Sequence, residues 1–294
     1  MAASPAPLGA LLAALLAVAV CAIAACATPA SAPNDAAEDA AAPDTAGWAA
    51  AFAEAGGTGT FVLFDAASGQ TARHDAARAA RRYPPASTFK VYNALVALET
   101  GVVGDPDSVF VWDGVERQVA AWNRDHTLRS GMESSTVWLY QRVARAVGRE
   151  RYEVAFRREP FGNGAVGDAL TTFWLTGPLG VSADEEVLFM DRLRRGALAF
   201  APEHQATVRE MLPVLAEGEG WALRAKSGWA LREDAPDLGW LVGWVERPGG
   251  SVVFALNVEE APGADFDMGP GRLRLALALL RAAGAVPAGG PSGG

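Results

Sequence analysis

The chain has 294 residues, half of them apolar and a fifth charged, enough for one large domain or two interlocked subdomains with a proper core. Its formal charge of -9 comes without any Lys or Arg run. That excludes the electrostatic footprint of a nucleic-acid binder and leaves a solvated acidic surface.

Residues 2–30 carry no charge, and an apolar run from Leu8 to Ala25 is followed by the small residues Pro29, Ala30, Ser31 and Ala32. This is the pattern of an export segment, predicted over 1–32, although no Lys or Arg precedes the apolar run. Both cysteines, Cys21 and Cys26, lie inside it, so the exported domain is expected to have neither disulfide nor thiol chemistry. Ile23-Ala24-Ala25-Cys26 is similar to a bacterial lipobox, which would make Cys26 a lipid anchor and is the alternative to plain cleavage. Residues 33–46, rich in Ala, Pro and Asp, read as a flexible tether.

Folded structure is expected to start with a strand over Gly59 to Asp65, where Phe61, Val62 and Leu63 are good strand formers, and a turn at Ala67-Ser68-Gly69 leads into a second strand. Pro84-Pro85 stops extended structure. Ser87 then opens a helix predicted to end near Gly101, with Val91, Ala94, Leu95 and Leu98 on its core face. From there to about Arg209, short helical patterns broken at Gly162-Asn163-Gly164 and Gly177-Pro178 predict an all-α insert. Strands return at 222–229, 238–246 and 251–258, the last two joined by Arg247-Pro248-Gly249-Gly250, and should pair with the first hairpin. A final helix from Leu273 to Ala283 follows Pro270-Gly271, and 286–294 reads as a disordered tail.

Only two of the 25 basic residues are lysines, Lys90 and Lys226. Arginine stays protonated in proteins, whereas a buried lysine can lose its proton and act as a base. Lys90 stands in Ser87-Thr88-Phe89-Lys90, a spacing that puts hydroxyl and amine on one helix face, so a neutral Lys90 could deprotonate Ser87. On a surface helix the same pattern is inert. Lys226 begins Lys226-Ser227-Gly228 on a strand, where Gly admits a ligand to the backbone and Ser offers a hydroxyl to a carboxylate.

Taken in order, these segments resemble a class D β-lactamase of the penicillin-recognising serine enzymes over about residues 48–284. The resemblance rests on Tyr83-Pro84-Pro85-Ala86-Ser87-Thr88-Phe89-Lys90, Trp112-Asp113-Gly114, Trp122-Asn123-Arg124-Asp125 and Ser135-Thr136-Val137. It continues through Phe173-Trp174-Leu175, Lys226-Ser227-Gly228, Gly239-Trp240-Leu241-Val242-Gly243-Trp244 and Arg272. One departure is Phe161-Gly162-Asn163, where the family usually has Tyr-Gly-Asn; a hydroxyl is missing, and activity is expected to survive.

The fold that the resemblance implies is α/β: an antiparallel sheet flanked by N- and C-terminal helices, with a mostly α-helical second subdomain, over 47–285. It implies a hydrolase acting on a small-molecule β-lactam through an acyl-enzyme on Ser87. Lys90 would be N-carboxylated by carbon dioxide, with no other cofactor, and serve as general base in both half-reactions. Val137 and Leu175 would line the apolar pocket that keeps the amine neutral, and the Trp174 indole would hydrogen-bond the carbamate. The backbone N–H groups of Ser87 and Trp229 would form the oxyanion hole. Ser135, helped by Lys226, would pass a proton to the leaving nitrogen, while Ser227, Gly228 and Arg272 would hold the substrate carboxylate. The implied location is periplasmic or secreted, with a membrane contact only through a lipid at Cys26 and no particular oligomeric state.

Plainer roles stand beside several of these. Trp174 suits core packing and Ser135 suits a helix cap. His74, His126 and His204 show no metal spacing and read as surface or hydrogen-bonding residues. A β-lactam sensor that acylates and stalls, or a D,D-peptidase, would use the same scaffold.

Overall fold

The computed structural model describes residues 45–288. The export segment, Cys26, nearly all of the tether and positions 289–294 of the tail lie outside the described residues. Helix α1 (Trp48–Glu54) puts Trp48 and Phe52, one turn apart, on a single buried face. Strands β1 (Gly57–Asp65) and β2 (Thr71–His74) form the expected hairpin, and the short α2 (Ala76–Ala79) follows. A 3-10 turn, Ala86–Phe89, leads into α3 (Lys90–Glu99), every residue of which is buried up to Leu98.

The predicted insert holds five helices joined by loops, the longest over 100–127 and 159–182: α4 (Leu128–Glu133), α5 (Val137–Val147), α6 (Arg149–Arg158), α7 (Ala183–Arg195) and α8 (Pro202–Met211). Local chemistry sets their ends. Ser182 and Glu185 form a capping box on α7, acidic residues fill its first turn and arginines its last, and Gly196 closes it in the left-handed conformation. Strands β3 (Val214–Gly218), β4 (Trp221–Ala230), β5 (Leu238–Glu246) and β6 (Val252–Glu260) and helix α9 (Gly271–Ala282) complete the chain. Strand β3 is not among the strands expected from the sequence. It is an edge strand with no buried residue, so no apolar alternation marks it.

The sheet runs β2-β1-β6-β5-β4-β3 with every neighbouring pair antiparallel. Both faces of its middle are covered, which is why β5 reads as a nearly continuous apolar run. Trp240, Val242 and Trp244 face the helical insert, where they join a core with α3, α5 and α7. Leu241 and Val245 face the other way with Phe61, Phe254 and Leu256, against α1 and α9. The first and last described helices meet there, where the Trp48 indole donates to the Leu279 carbonyl at 3.0 Å. Ala285 and Val286 are buried in the same cluster. Among the described residues no helix is long and apolar enough to cross a membrane.

Candidate active site

The site gathers where the 3-10 turn meets β4. Three contacts fix the turn from outside: Tyr83 pairs with Val181, the Trp240 indole donates to the Pro84 carbonyl at 2.9 Å, and the Ala86 N–H donates to the Trp174 carbonyl at 2.9 Å. Ala86 is held at φ +50°, a left-handed value that costs a non-glycine residue energy and needs such bracing. An α-helix is expected to start at Ser87, whereas the α-helix begins at Lys90. The difference matters, because side chains at i and i+3 eclipse one another in a 3-10 turn. Ser87 Oγ and Lys90 Nζ are accordingly 2.6 Å apart.

Lys90 is completely buried. Burial, and then the nearby charge of Lys226, push its amine well below the ordinary lysine value. A neutral amine at hydrogen-bond distance from a serine can take that serine's proton. The ring of Tyr140 lies under the amine, 5.5 Å from Nζ to centroid. Tyr140 is absent from the sequence reading, although it stands one turn after Val137, the first residue of α5. Val137 and Leu175 are half-buried, and Leu175 packs on the helical core. Trp174 is fully buried against Phe89 and Phe173, yet its indole N–H has no hydrogen-bond partner. An orphaned buried donor is costly and uncommon.

Lys226 comes from the middle of β4 and is 2 % exposed. Its Nζ donates to Ser135 Oγ at 3.0 Å and to the Ser227 carbonyl at 2.9 Å, and burial together with Arg272 brings its pKa down to about 7. Ser135 caps no helix: Ser134 ends α4 and Thr136 precedes α5, while Ser135 occupies the link at φ +57°. Its turn is pinned by the Trp122 indole on the Ser134 carbonyl and by the Trp138 indole on the Trp122 carbonyl.

Gly228 makes the contact between β4 and the nucleophile's turn. A Cβ there would sit 2.9 Å from the Pro85 carbonyl oxygen. Strand alternation puts Ser227 and Trp229 on the opposite face from Lys226, the face that α9 covers. From the start of α9, Arg272 crosses β5 at Gly239, where a Cβ would lie 2.8 Å from Arg272 Cδ, and its guanidinium donates to the Gly228 carbonyl. The guanidinium also lies 5.8 Å from the ring of Trp229, a residue 45 % exposed whose indole donates to Asp237. Burial lowers Arg272 to about 10, opposed by Asp267.

Lys90, Lys226 and Arg272 thus stand in series, each later cation lowering the one before it. The arrangement offers a serine with a neutral base, a second lysine on a second serine, and a cationic rim suited to an anionic substrate. The histidines take no part. His74 stacks on Phe52, buried His126 bonds Ser130 and the Ala121 carbonyl, and His204 contacts Glu99. No metal-binding cluster occurs among the described residues. Phe161 packs into the aromatic cluster of Phe89, Tyr92 and Phe189, with no polar neighbour for a hydroxyl among them but the Tyr92 phenol, which donates to Glu159. Asn163 ties the loop that bears Trp174 through the Pro178 carbonyl and the Gly180 N–H.

Comparison with known proteins gives the family and the fold. A family model described as penicillin binding protein transpeptidase domain matches residues 59–276. The chain is 39% identical over 242 residues to Beta-lactamase OXA-15 of Pseudomonas aeruginosa, covering 82% of this chain and 85% of that protein. It is 38% identical over 203 residues to the probable β-lactamase YbxI of Bacillus subtilis, covering 69% and 75%. Among solved structures, the class D β-lactamase YbXI from Nostoc superposes with a TM-score of 0.75 at 34% identity, over 80% of this chain and 98% of that one. FUS-1 (OXA-85) from Fusobacterium nucleatum gives 0.76 at 30% identity, over 81% and 98%.

Proposed function

The chain belongs to the class D β-lactamases, serine hydrolases of β-lactam rings, and from that membership we propose that acylation occurs on Ser87 with an N-carboxylated Lys90 as general base. The observation that carries this reading is the pairing of a buried, readily deprotonated Lys90, 2.6 Å from Ser87 Oγ, with the unpartnered indole N–H of buried Trp174. Carbon dioxide adds only to a neutral amine, and a buried anion needs a donor. Both requirements fit the residues present. A carbamate on Lys90 supplies an anionic general base that draws the proton first from Ser87 and then from the deacylating water.

The rest of the site completes acyl transfer. The N–H groups of Ser87 and Trp229 receive the oxyanion, where each donor is worth ~10²–10³ in rate. Lys226 keeps Ser135 aligned, and the Ser135 hydroxyl hands its proton to the leaving β-lactam nitrogen. Arg272, with Ser227 and the backbone at Gly228, receives the substrate carboxylate. Small charge-bearing β-lactams are therefore the substrate class. Export to the periplasm or beyond belongs to this reading and rests on the apolar segment Leu8–Ala25.

Turnover of a chromogenic cephalosporin by the purified protein tests the function. Many cycles per Ser87 are expected; a single acylation followed by arrest identifies a sensor instead. Stripping carbon dioxide at mildly acidic pH should lower activity and bicarbonate should restore it, while intact mass gains one carboxyl group. If neither changes with bicarbonate, Lys90 acts as a plain amine.

A further inference from the structure

A buried pair lies directly beneath the nucleophile's turn and has no part in the mechanism above. Thr88 is 1% exposed, and its hydroxyl stands 2.9 Å from the Pro85 carbonyl oxygen and 2.6 Å from Oε1 of Glu186 on α7. The hydroxyl has one proton to give, while a carbonyl and an ionised carboxylate only accept. An ionised Glu186 would therefore leave one of these contacts as oxygen against oxygen.

Among the described residues no cation pairs with such a charge. Glu186 is 1% exposed, and the cations around α7 are engaged elsewhere: Arg82 holds Glu185, Arg73 holds Asp184, and Arg194 and Arg195 hold Asp191. The elements packed on α7 bring no free cation either. β1 and β5 offer the carboxylates Asp65 and Glu246, and β6 offers Glu259, already shared by Arg78 and Arg232. On α8, Arg209 bonds the Leu193 carbonyl and His204 bonds Glu99. A buried, unpaired carboxylate costs several kcal/mol, which its proton removes.

We infer that Glu186 is held as the neutral carboxylic acid and donates to Thr88 Oγ1, so that Thr88 donates to the Pro85 carbonyl and the relay positions the turn that presents Ser87. The direction of each bond follows from the acceptor at its end. The same Pro85 carbonyl accepts the Thr88 N–H at 3.2 Å, one residue before Ala86 with its left-handed backbone. Glu186 is thus a positioning residue, acting on Ser87 through Thr88. Burial, aided by the Glu185 carboxylate and opposed by the Thr88 hydrogen bond, raises its pKa to about 8. The relay is intact at neutral pH and lost in mild alkali.

The positioning role rests on Ser87 being the nucleophile, whereas the protonation state does not, and the tests separate the two. The infrared difference spectrum of the native protein against Glu186→Gln, taken near about pH 6, should contain the C=O stretch of a protonated acid that fades as the pH passes about 8. Carboxylate bands at the lower pH overturn the inference. Glu186→Leu should slow acylation about tenfold or more. Glu186→Gln, whose amide donates but does not titrate, should restore the rate and shift the alkaline limb of the pH profile. A Gln variant as slow as the Leu variant, or one with the native alkaline limb, overturns the relay. Persistent acylation in Ser87→Ala overturns the site reading and with it the positioning role, while the infrared result stands.

Discussion

Trp174→Phe removes the indole N–H together with the five-membered ring that bears it, while a phenyl ring remains to pack on Phe89 and Phe173. In the amine form of Lys90 that donor is a liability of ~1–3 kcal/mol, because it is buried without a bond. In the proposed carbamate form of Lys90 the same N–H would gain an anionic acceptor, and hydrogen bonds to charged groups contribute ~1.5–3 kcal/mol. The two effects act in the same direction and together come to ~2.5–6 kcal/mol, so the variant should need at least about sixtyfold more bicarbonate to reach half carboxylation, at ~1.4 kcal/mol per decade. Titration with ¹³C-labelled bicarbonate, following the carbamate carbon by NMR at fixed pH, reads this directly. Turnover at saturating bicarbonate should recover much of the deficit. Equal half-saturation in the two proteins would refute the role given to the indole, whatever happens to turnover.

Gly239→Ala should raise KM for carboxylate-bearing substrates by about tenfold while kcat falls much less, since the added Cβ would meet Arg272 Cδ at 2.8 Å and Met268 Sδ at 2.5 Å, both in flexible side chains. Ser135→Gly should unfold at the same or a higher temperature, relieving a backbone at φ +57° at ~1–2 kcal/mol, while acylation slows ~10²-fold or more from loss of the proton donor. In the folded protein Glu186 keeps its proton to about 8, against 4.5 for a free carboxyl, so between those values the folded state binds the extra proton and stability falls as pH rises. Glu186→Gln should abolish that decline, roughly 5 kcal/mol at 1.36 kcal/mol per unit, in denaturant titrations across the window. Lys226 has the opposite sign: its pKa falls from 10.5 to about 7, so the unfolded state binds more protons in that interval and stability rises with pH. Lys226→Met should remove this share of the rise and leave the share of Lys90, whose amine burial also depresses.

The pairs legible in the sequence were those that a local repeat brings together. Ser87 and Lys90 are three residues apart, and a helical turn sets them on one face; that the turn is 3-10, and that the Trp240 indole braces it at the Pro84 carbonyl, does not show in that spacing. Lys226-Ser227-Gly228 could be placed on a strand because β4 and β5 carry apolar runs with turn residues between them. The partners that define the chemistry were not legible in that way. Tyr140 under Lys90, the crossing of Arg272 at Gly239, and Glu186 against Thr88 each join segments that only the tertiary packing makes neighbours. Glu186 in particular looks like one of three acidic residues in the first turn of a surface helix, and nothing in its spacing distinguishes it from its paired neighbours. The sheet's edge β3 escaped for the converse reason, since hydrogen bonding to β4 rather than apolar patterning makes it a strand.

The sheet order has a temporal meaning. β1 lies between β2 and β6, with Phe61 opposite Leu256, and α1 is locked to α9 by the Trp48 indole on Leu279. A hairpin of two strands is marginal alone in water, so the first strands made on the ribosome must wait for almost the last ones before they have a sheet to join. Arg272 arrives later still. Folding of this chain is therefore dominated by very long loop closures and should be slow, and ribosome-stalled chains ending before Glu260 should remain protease-sensitive.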